Sequence, residues 1–258
     1  MPRDPLKFQT RILGSAAQRV EDLHDLTIEY DWSSKGTLSS LRDRGGSSVC
    51  GCTRAYFRDL EKTLIGHILE ADFVMGCVAW LTSEPILDAL SKPKWGCQII
   101  VQKEDFLRPD IDARGSWAHR LRKLYDQLDC AYDRSSLPSP INELSVACDW
   151  SIDPVRCVGN HNASRQAAFP RAHHKFVVFC RAEEVEDGYQ RTYPAPYAVW
   201  TGSFNFTKNA GRSFENALYI TDPLIVDAYA HEYAQIAALS EALDWTSTWA
   251  APEWRIGT

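Results

Sequence analysis

The sequence has no hydrophobic run long enough to cross a lipid bilayer. Its longest apolar stretch, residues 73–81, is about half of the roughly 20 residues that a membrane-spanning helix needs. The N-terminus lacks the apolar core of a secretion signal, so we expect a cytoplasmic protein. Disorder as the main state is also excluded, because 9 Trp, 10 Tyr and 10 Phe among 258 residues supply ample apolar surface for a core.

The eight cysteines contain no CxxC pair, so the commonest spacing of structural zinc ligands is missing. Disulfides are not expected without a secretion signal. Two interpretations remain. Either the thiols are buried, where cysteine behaves as a small apolar residue, or Cys148, Cys157 and His161 hold a structural zinc ion. We favour buried thiols and predict neither a metal nor a cofactor.

Acidic residues are absent from residues 154–182, although the whole chain has a net charge of −6. Cationic and imidazole side chains fill the stretch: Arg156, His161, Arg165, Arg171, His173, His174, Lys175 and Arg181. Concentrated positive charge attracts polyanions even on an acidic protein. Unless the gap in acids is a chance one, it predicts an anion-binding surface.

The order of predicted elements indicates an α/β sandwich. Residues 1–52 have loop composition around one short strand at 26–30, and we interpret them as an N-terminal extension of unknown role. Residues 53–258 form the main domain, which we expect to begin with a helix capped by Thr53. Strands are predicted at 71–81, 96–102, 174–180, 197–202 and 216–221, and residues 135–169 are predicted to be irregular. The last predicted helix spans 223–243, with an inner face of Leu224, Ala228, Tyr233, Ile236 and Leu239.

Three short motifs follow one another after residue 170: HHK at 173–175, TGSFNFT at 201–207 and ENAL at 215–218. Alternation along a strand places His173 and Lys175 on one face, and His174 on the other. The same alternation pairs Ser203 with Asn205. We expect Gly202 to let a substrate approach the backbone closely.

Together these motifs resemble the phospholipase D superfamily, in which HxK is followed by GSxN and a Glu. They are most similar to its single-motif nuclease branch, which carries one motif per chain and acts as a homodimer. The resemblance covers residues 171–222 closely and 71–103 loosely. It implies a phospholipase D-like α/β/α sandwich with a central mixed sheet. It also implies that two His173 side chains meet at a two-fold axis, and it suggests a bacterial restriction or defence system.

Two features depart from the family pattern. Cys180 stands where the family has an Asp five residues after the Lys; because that Asp is usually structural, we expect substitution there to be tolerated. Residues 181–196 lengthen the hairpin between HxK and GSxN, and we interpret this extension as a segment able to cover or gate the site.

The residue types suit phosphodiester hydrolysis without a metal. One neutral imidazole, His173, attacks, while a second, protonated one acts as the acid. Lys175, Asn205 and Ser203 supply positive charge and hydrogen-bond donors for the phosphoryl oxygens. Glu215 is expected to hold an imidazole by its other nitrogen.

We therefore expect a nucleic-acid phosphodiesterase that works through a phosphohistidine intermediate as a homodimer, without a membrane partner. The substrate-binding candidates are Arg165, Arg171, Gly202 and Thr207. Two alternatives stay open at this point: a lipid-headgroup phosphodiesterase or transferase, and a catalytically silent phosphate-binding scaffold. The sequence does not choose between DNA and RNA.

Overall fold

A computed structural model describes residues 49–107, 117–144, 150–166, 171–186 and 190–244. The predicted strand at 26–30 lies outside these ranges. Eight strands form one sheet in the order β1-β2-β8-β7-β6-β3-β4-β5. The strands are β1 (Val49–Cys50), β2 (Thr53–Tyr56), β3 (Phe73–Val78), β4 (Cys97–Gln102), β5 (Val155–Val158), β6 (Lys175–Glu186), β7 (Gln190–Gly202) and β8 (Ala217–Ile220). The helices are α1 (Leu60–Glu70), α2 (Glu84–Leu90), α3 (Trp117–Tyr125) and α4 (Pro223–Ala238).

The sheet is mixed. Strands β3, β4 and β5 run parallel to one another, whereas β6 runs antiparallel to β3. Strands β6, β7 and β8 form an antiparallel meander, and β2 pairs antiparallel with β8. Every residue of β3 and β4 is buried, as expected for strands that helices cover on both faces.

Two apolar cores lie on opposite faces of this sheet. Helices α1, α2 and α3 cover the face that carries Val74, Val78 and Val177. Helix α4 covers the face that carries Phe73, Phe176 and Val178. This three-layer arrangement confirms the predicted α/β/α sandwich with a central mixed sheet.

Several local predictions are wrong. Thr53 begins strand β2 and caps no helix; the first helix begins at Leu60, after Asp59. Strand β1 lies within the segment that we interpreted as an N-terminal extension, and it pairs with β2 through Val49 and Cys50. Strand β5 lies inside the segment predicted to be irregular.

The buried face of α4 also differs from the prediction. Its buried residues are Val226, Ala230, Tyr233, Ala234 and Ala237. Leu224, Ala228 and Leu239 are exposed, contrary to the prediction; Leu224 lies in the first turn of the helix, and Leu239 is its C-cap residue. Ile236 packs partly against the core, as predicted.

Most of the described cysteines are buried free thiols. Cys77, Cys97, Cys157 and Cys180 are buried, Cys130 is partly buried and Cys52 is exposed. The zinc alternative also needs Cys148, which lies outside the described residues. Within the described ranges, no three His, Cys, Asp or Glu side chains form a group able to hold a metal ion. No helix of the described chain is long and apolar enough to span a bilayer.

Candidate active site

The three motifs meet at one end of the sheet. Strand β3 ends at this end, and because β6 runs antiparallel to β3, β6 begins there, with Lys175 opposite Val78. Strand β7 also ends there at Gly202, which pairs with Ala217 of β8. The topology therefore joins segments that are far apart in the sequence.

His173 and Lys175 contact the same indole ring. The ring of Trp80, two residues beyond β3, meets the His173 ring edge-on with centroids 5.6 Å apart. Lys175 Nζ lies 5.9 Å from the Trp80 ring centroid and donates a hydrogen bond to the His173 carbonyl at 2.8 Å. Lys175 is buried, while His173 is exposed. The predicted common face of these two residues is confirmed.

His174 lies on the opposite side. Its ring packs edge-on against Phe176, which belongs to the core under α4. Its Nε2 lies 3.6 Å from Glu232 Oε1 on α4. This confirms that His174 points away from the motif.

Ser203 and Glu215 form a hydrogen-bonded pair next to Lys175. The Ser203 hydroxyl donates to Glu215 Oε2 and accepts from the Asn216 amide at 3.1 Å. Burial lowers the pKa of Lys175, and the Glu215 charge acts in the opposite direction. We expected Glu215 to hold an imidazole, but within one chain it does not. Among the described residues, its side chain is hydrogen-bonded to Ser203 and acts electrostatically on Lys175.

The loop after β7 places Asn205 beside the end of β3. Phe206, the next residue, bridges to Leu81, and its carbonyl accepts the amides of Thr82 and Ser83 at 2.8 and 2.9 Å. The side-chain oxygen of Asn205 is buried and has no hydrogen-bond partner among the described residues. Asn205 therefore brings unused hydrogen-bonding capacity to this end of the sheet.

Gly202 and Thr207 have local structural roles that the sequence analysis did not predict. A Cβ on Gly202 would lie 2.8 Å from Ala217 Cα and still closer to the Asn216 carbonyl oxygen. The backbone that approaches Gly202 closely is therefore that of β8, and not a substrate. The Thr207 hydroxyl accepts the Ala210 amide at 3.2 Å, which caps a turn.

The electrostatic environment favours neutral imidazole at His173. Its pKa is lowered, first by partial burial and then by the positive charges of Lys175, Arg171 and His174. Burial also lowers the pKa of Lys175. A neutral imidazole is the form able to act as a nucleophile near neutral pH.

Arg165 and Arg171 line one cavity of about 290 Å³ together with Gln102, Glu104 and His161. Both arginines are exposed. Arg171 lies near enough to His173 to lower its pKa. The structure therefore brings both predicted cations to the same side of the site.

The long hairpin lies away from the site, which corrects the proposed gate. Strand β6 leaves the site at Lys175 and extends for 12 residues, about 36 Å at roughly 3.3 Å per residue. The far end of β6, at Glu186, therefore lies at the opposite end of the sheet from the site. Cys180 lies about 16 Å along the same strand from Lys175 by this spacing and is fully buried, so it does not contact a substrate at this site.

Sequence reasoning missed Trp80 and Glu104. The Trp80 ring meets the His173 ring edge-on, and its indole N–H donates to Glu104 Oε1 at 3.0 Å. Both residues follow buried strands that run parallel, β3 and β4. Polar residues just beyond the carboxyl ends of adjacent parallel strands lie together at one edge, and this signal was available in the sequence.

Comparisons with known proteins give one clear relative. No protein-family model matches the sequence. NucT from Helicobacter pylori and Nuc, a phospholipase D family member from Salmonella typhimurium, each have a TM-score of 0.41 and 15% identity to the chain. They cover 71% and 73% of this chain, and 96% and 95% of their own chains. These likenesses are too distant to carry an argument about chemistry.

Uncharacterized protein L381 of Acanthamoeba polyphaga mimivirus is 33% identical over 210 residues, which are 75% of this chain and 68% of the viral protein. The chain belongs to the same family as L381.

Proposed function

We propose that this chain is a phosphodiesterase of the phospholipase D type that cleaves nucleic acid without a metal ion. One observation carries the proposal: the exposed imidazole of His173 and the buried ammonium of Lys175 contact the same Trp80 ring, and Glu215, which is hydrogen-bonded to Ser203, acts electrostatically on Lys175. This set supplies a nucleophile and fixed donors for the charge on a phosphoryl group.

The proposed reaction has two steps. The neutral imidazole of His173 attacks phosphorus, the bond to the leaving oxygen breaks, and a protonated imidazole donates its proton to that oxygen. Water then attacks the phosphohistidine; the imidazole that lost its proton takes one from the water, and the phosphorus–nitrogen bond breaks. Lys175 and Asn205 hold the phosphoryl oxygens in both steps.

The second imidazole is proposed to be His173 of a second copy of this chain. Within the described chain, His174 faces α4, and His161 is buried with its Nε2 2.6 Å from Asp105. Large apolar side chains are exposed near the motif. Phe214 precedes Glu215, and Leu218 lies opposite Thr201 on β7. A second copy seated there would cover these side chains and bring the two His173 rings together.

Charge supports nucleic acid as the substrate. Arg165 and Arg171 line the cavity, Arg171 acts electrostatically on His173, and residues 154–182 contain no acid, so this stretch attracts a polyanion. A restriction or defence setting and a cytoplasmic location stay predictions.

The test is incubation of the purified protein with plasmid, single-stranded DNA, RNA and phosphatidylcholine vesicles, with and without millimolar EDTA. We expect cleavage of nucleic acid that survives EDTA, with His173→Ala as the inactive control. Cleavage restricted to the lipid would establish the headgroup alternative. Loss of cleavage on chelation with recovery on adding magnesium would overturn the metal-independent chemistry, and binding without cleavage of any substrate would support a silent scaffold.

A further inference from the structure

The cavity that contains Arg165 and Arg171 is adjacent to the proposed nucleophile. Its volume is about 290 Å³, near the lower limit of small-molecule sites. Trp80 forms the connection, because its ring meets His173 while its indole N–H donates to Glu104, which lines the cavity. A group bound in the cavity would therefore lie beside the scissile phosphate.

Buried hydrogen bonds hold the cavity in shape. Gln102 is buried, and its Oε1 accepts the Ala172 amide at 2.7 Å. Its Nε2 donates to the Lys103 and Asn160 carbonyls at 2.8 and 2.9 Å. This single side chain ties β4 to the loop after β5 and to the segment that carries Arg171 and His173.

A second set of hydrogen bonds shapes the turn that contains Arg165. The Asn162 side chain donates to the Gln166 carbonyl at 3.0 Å and accepts its amide at 2.9 Å. Between them, Arg165 adopts a φ of 51°, a left-handed conformation that is uncommon for a residue with a side chain. The guanidinium is thus carried by a preformed turn.

The charges that line the cavity are mixed. Two guanidinium groups, Arg165 and Arg171, share it with two carboxylates, Glu104 and Asp105. A site for phosphate alone would gain nothing from carboxylates, which repel an anion. A carboxylate accepts about four hydrogen bonds, and among the described residues Glu104 is bonded to Trp80 and Asp105 to His161. Both carboxylates therefore have acceptor capacity left for a donor such as a hydroxyl.

We propose that this cavity binds the sugar–phosphate unit next to the scissile phosphate and selects ribose over deoxyribose. Arg165 and Arg171 bind the phosphate, and the adjacent carboxylates of Glu104 and Asp105 offer an acceptor for the hydrogen bond that the 2′-hydroxyl donates, as a carboxylate does at other ribose sites. The 2′-hydroxyl is the group by which proteins distinguish RNA from DNA. This inference rests on the proposed function, and it names RNA as the substrate class.

Binding tests the inference independently of cleavage. In the His173→Ala protein, Kd is measured by fluorescence anisotropy for one single-stranded sequence made as RNA, as DNA and as 2′-fluoro RNA. The fluoro analogue keeps an RNA-like sugar but has no hydroxyl proton to donate. We expect RNA to bind about tenfold or more tightly than the other two, since a hydrogen bond to a charged group contributes on that scale. Asp105→Ala and Glu104→Ala should each lower this ratio, whereas the exposed Asp227→Ala on α4, a matched loss of one carboxylate, should leave it unchanged.

Equal binding of RNA and DNA would overturn the inference. So would 2′-fluoro RNA that binds as tightly as RNA, or a preference that survives both Asp105→Ala and Glu104→Ala. Cleavage assays with the unmutated chain separate this inference from the proposed function. Preferential RNA binding without cleavage would overturn the proposed nuclease function and support the ribose site. Cleavage of both nucleic acids without preference would support the nuclease function and overturn the ribose site.

Discussion

Replacement of Cys180 by Asp probes the core rather than the chemistry. The phospholipase D superfamily, which the sequence motifs resemble, has an Asp at this position, and the sequence alone suggests tolerance. Here Cys180 is fully buried on the face of the sheet that α4 covers, and burial raises the pKa of its thiol. A lone carboxylate at this position would be kept neutral, because ionisation without a partner is too costly.

The expected cost follows from linkage. A fully buried carboxyl has its pKa raised by about 3–5 units from about 3.9. Because the folded-state pKa lies above the unfolded one, stability is retained at low pH and lost as pH rises. The loss is about 1.4 kcal/mol per pH unit between the two pKa values, or about 4 kcal/mol between pH 4 and pH 7. Against a typical total of roughly 5–15 kcal/mol, this is a large fraction.

Urea unfolding of wild type, Cys180→Asp and Cys180→Ser at pH 5 and pH 7 measures the effect. The difference in the free energy of unfolding between the Asp variant and wild type should widen by about 2.7 kcal/mol from pH 5 to pH 7. Cys180→Ser, a matched uncharged control, should show a difference that does not depend on pH. A Cys180→Asp protein as stable as wild type at pH 7 would refute the reasoning, because it would mean that a partner or water solvates this position.

Three further predictions concern the site. His173→Ala should abolish cleavage, and Lys175→Ala should lower kcat by about 10²-fold or more. His174→Ala should lower kcat much less, and equal losses of activity in the two histidine variants would mean that His173 was wrongly chosen as the nucleophile. Arg171→Ala removes a cation that lowers the His173 pKa, so the acid limb of kcat/KM should move to higher pH, and an unmoved limb would exclude this electrostatic coupling. In randomly paired dimers of wild type and His173→Ala, activity should fall as the square of the wild-type fraction; a straight line, with mixed dimers shown by mass, would mean that another group such as His161 is the acid.

Local patterns in the sequence predicted the layers of the fold. The apolar runs at 73–81 and 96–102 identified β3 and β4. Strand β5 was missed because it has four residues inside a polar segment, and it is specified by pairing with β4 rather than by its own pattern.

Alternation predicted which motif side chains share a face but not what surrounds them. His173 and Lys175 were placed together from their spacing, and His174 was placed apart. The role of Gly202 was misjudged because the close approach comes from β8, a contact that depends on strand pairing. Trp80 and Glu104 lie just beyond the carboxyl ends of β3 and β4, which are parallel neighbours, so the sequence indicates them only through the predicted order of the strands and not through a local motif.

The most direct test of the central claim is to trap the covalent intermediate. Wild-type protein is mixed with labelled oligonucleotide, quenched in alkali within the first turnover, digested with trypsin and analysed by tandem mass spectrometry. We predict a phosphoryl adduct on His173, in the peptide that ends at Lys175, and no adduct in His173→Ala. Cleavage without any adduct on this peptide, or an adduct on another residue, would contradict His173 as the nucleophile.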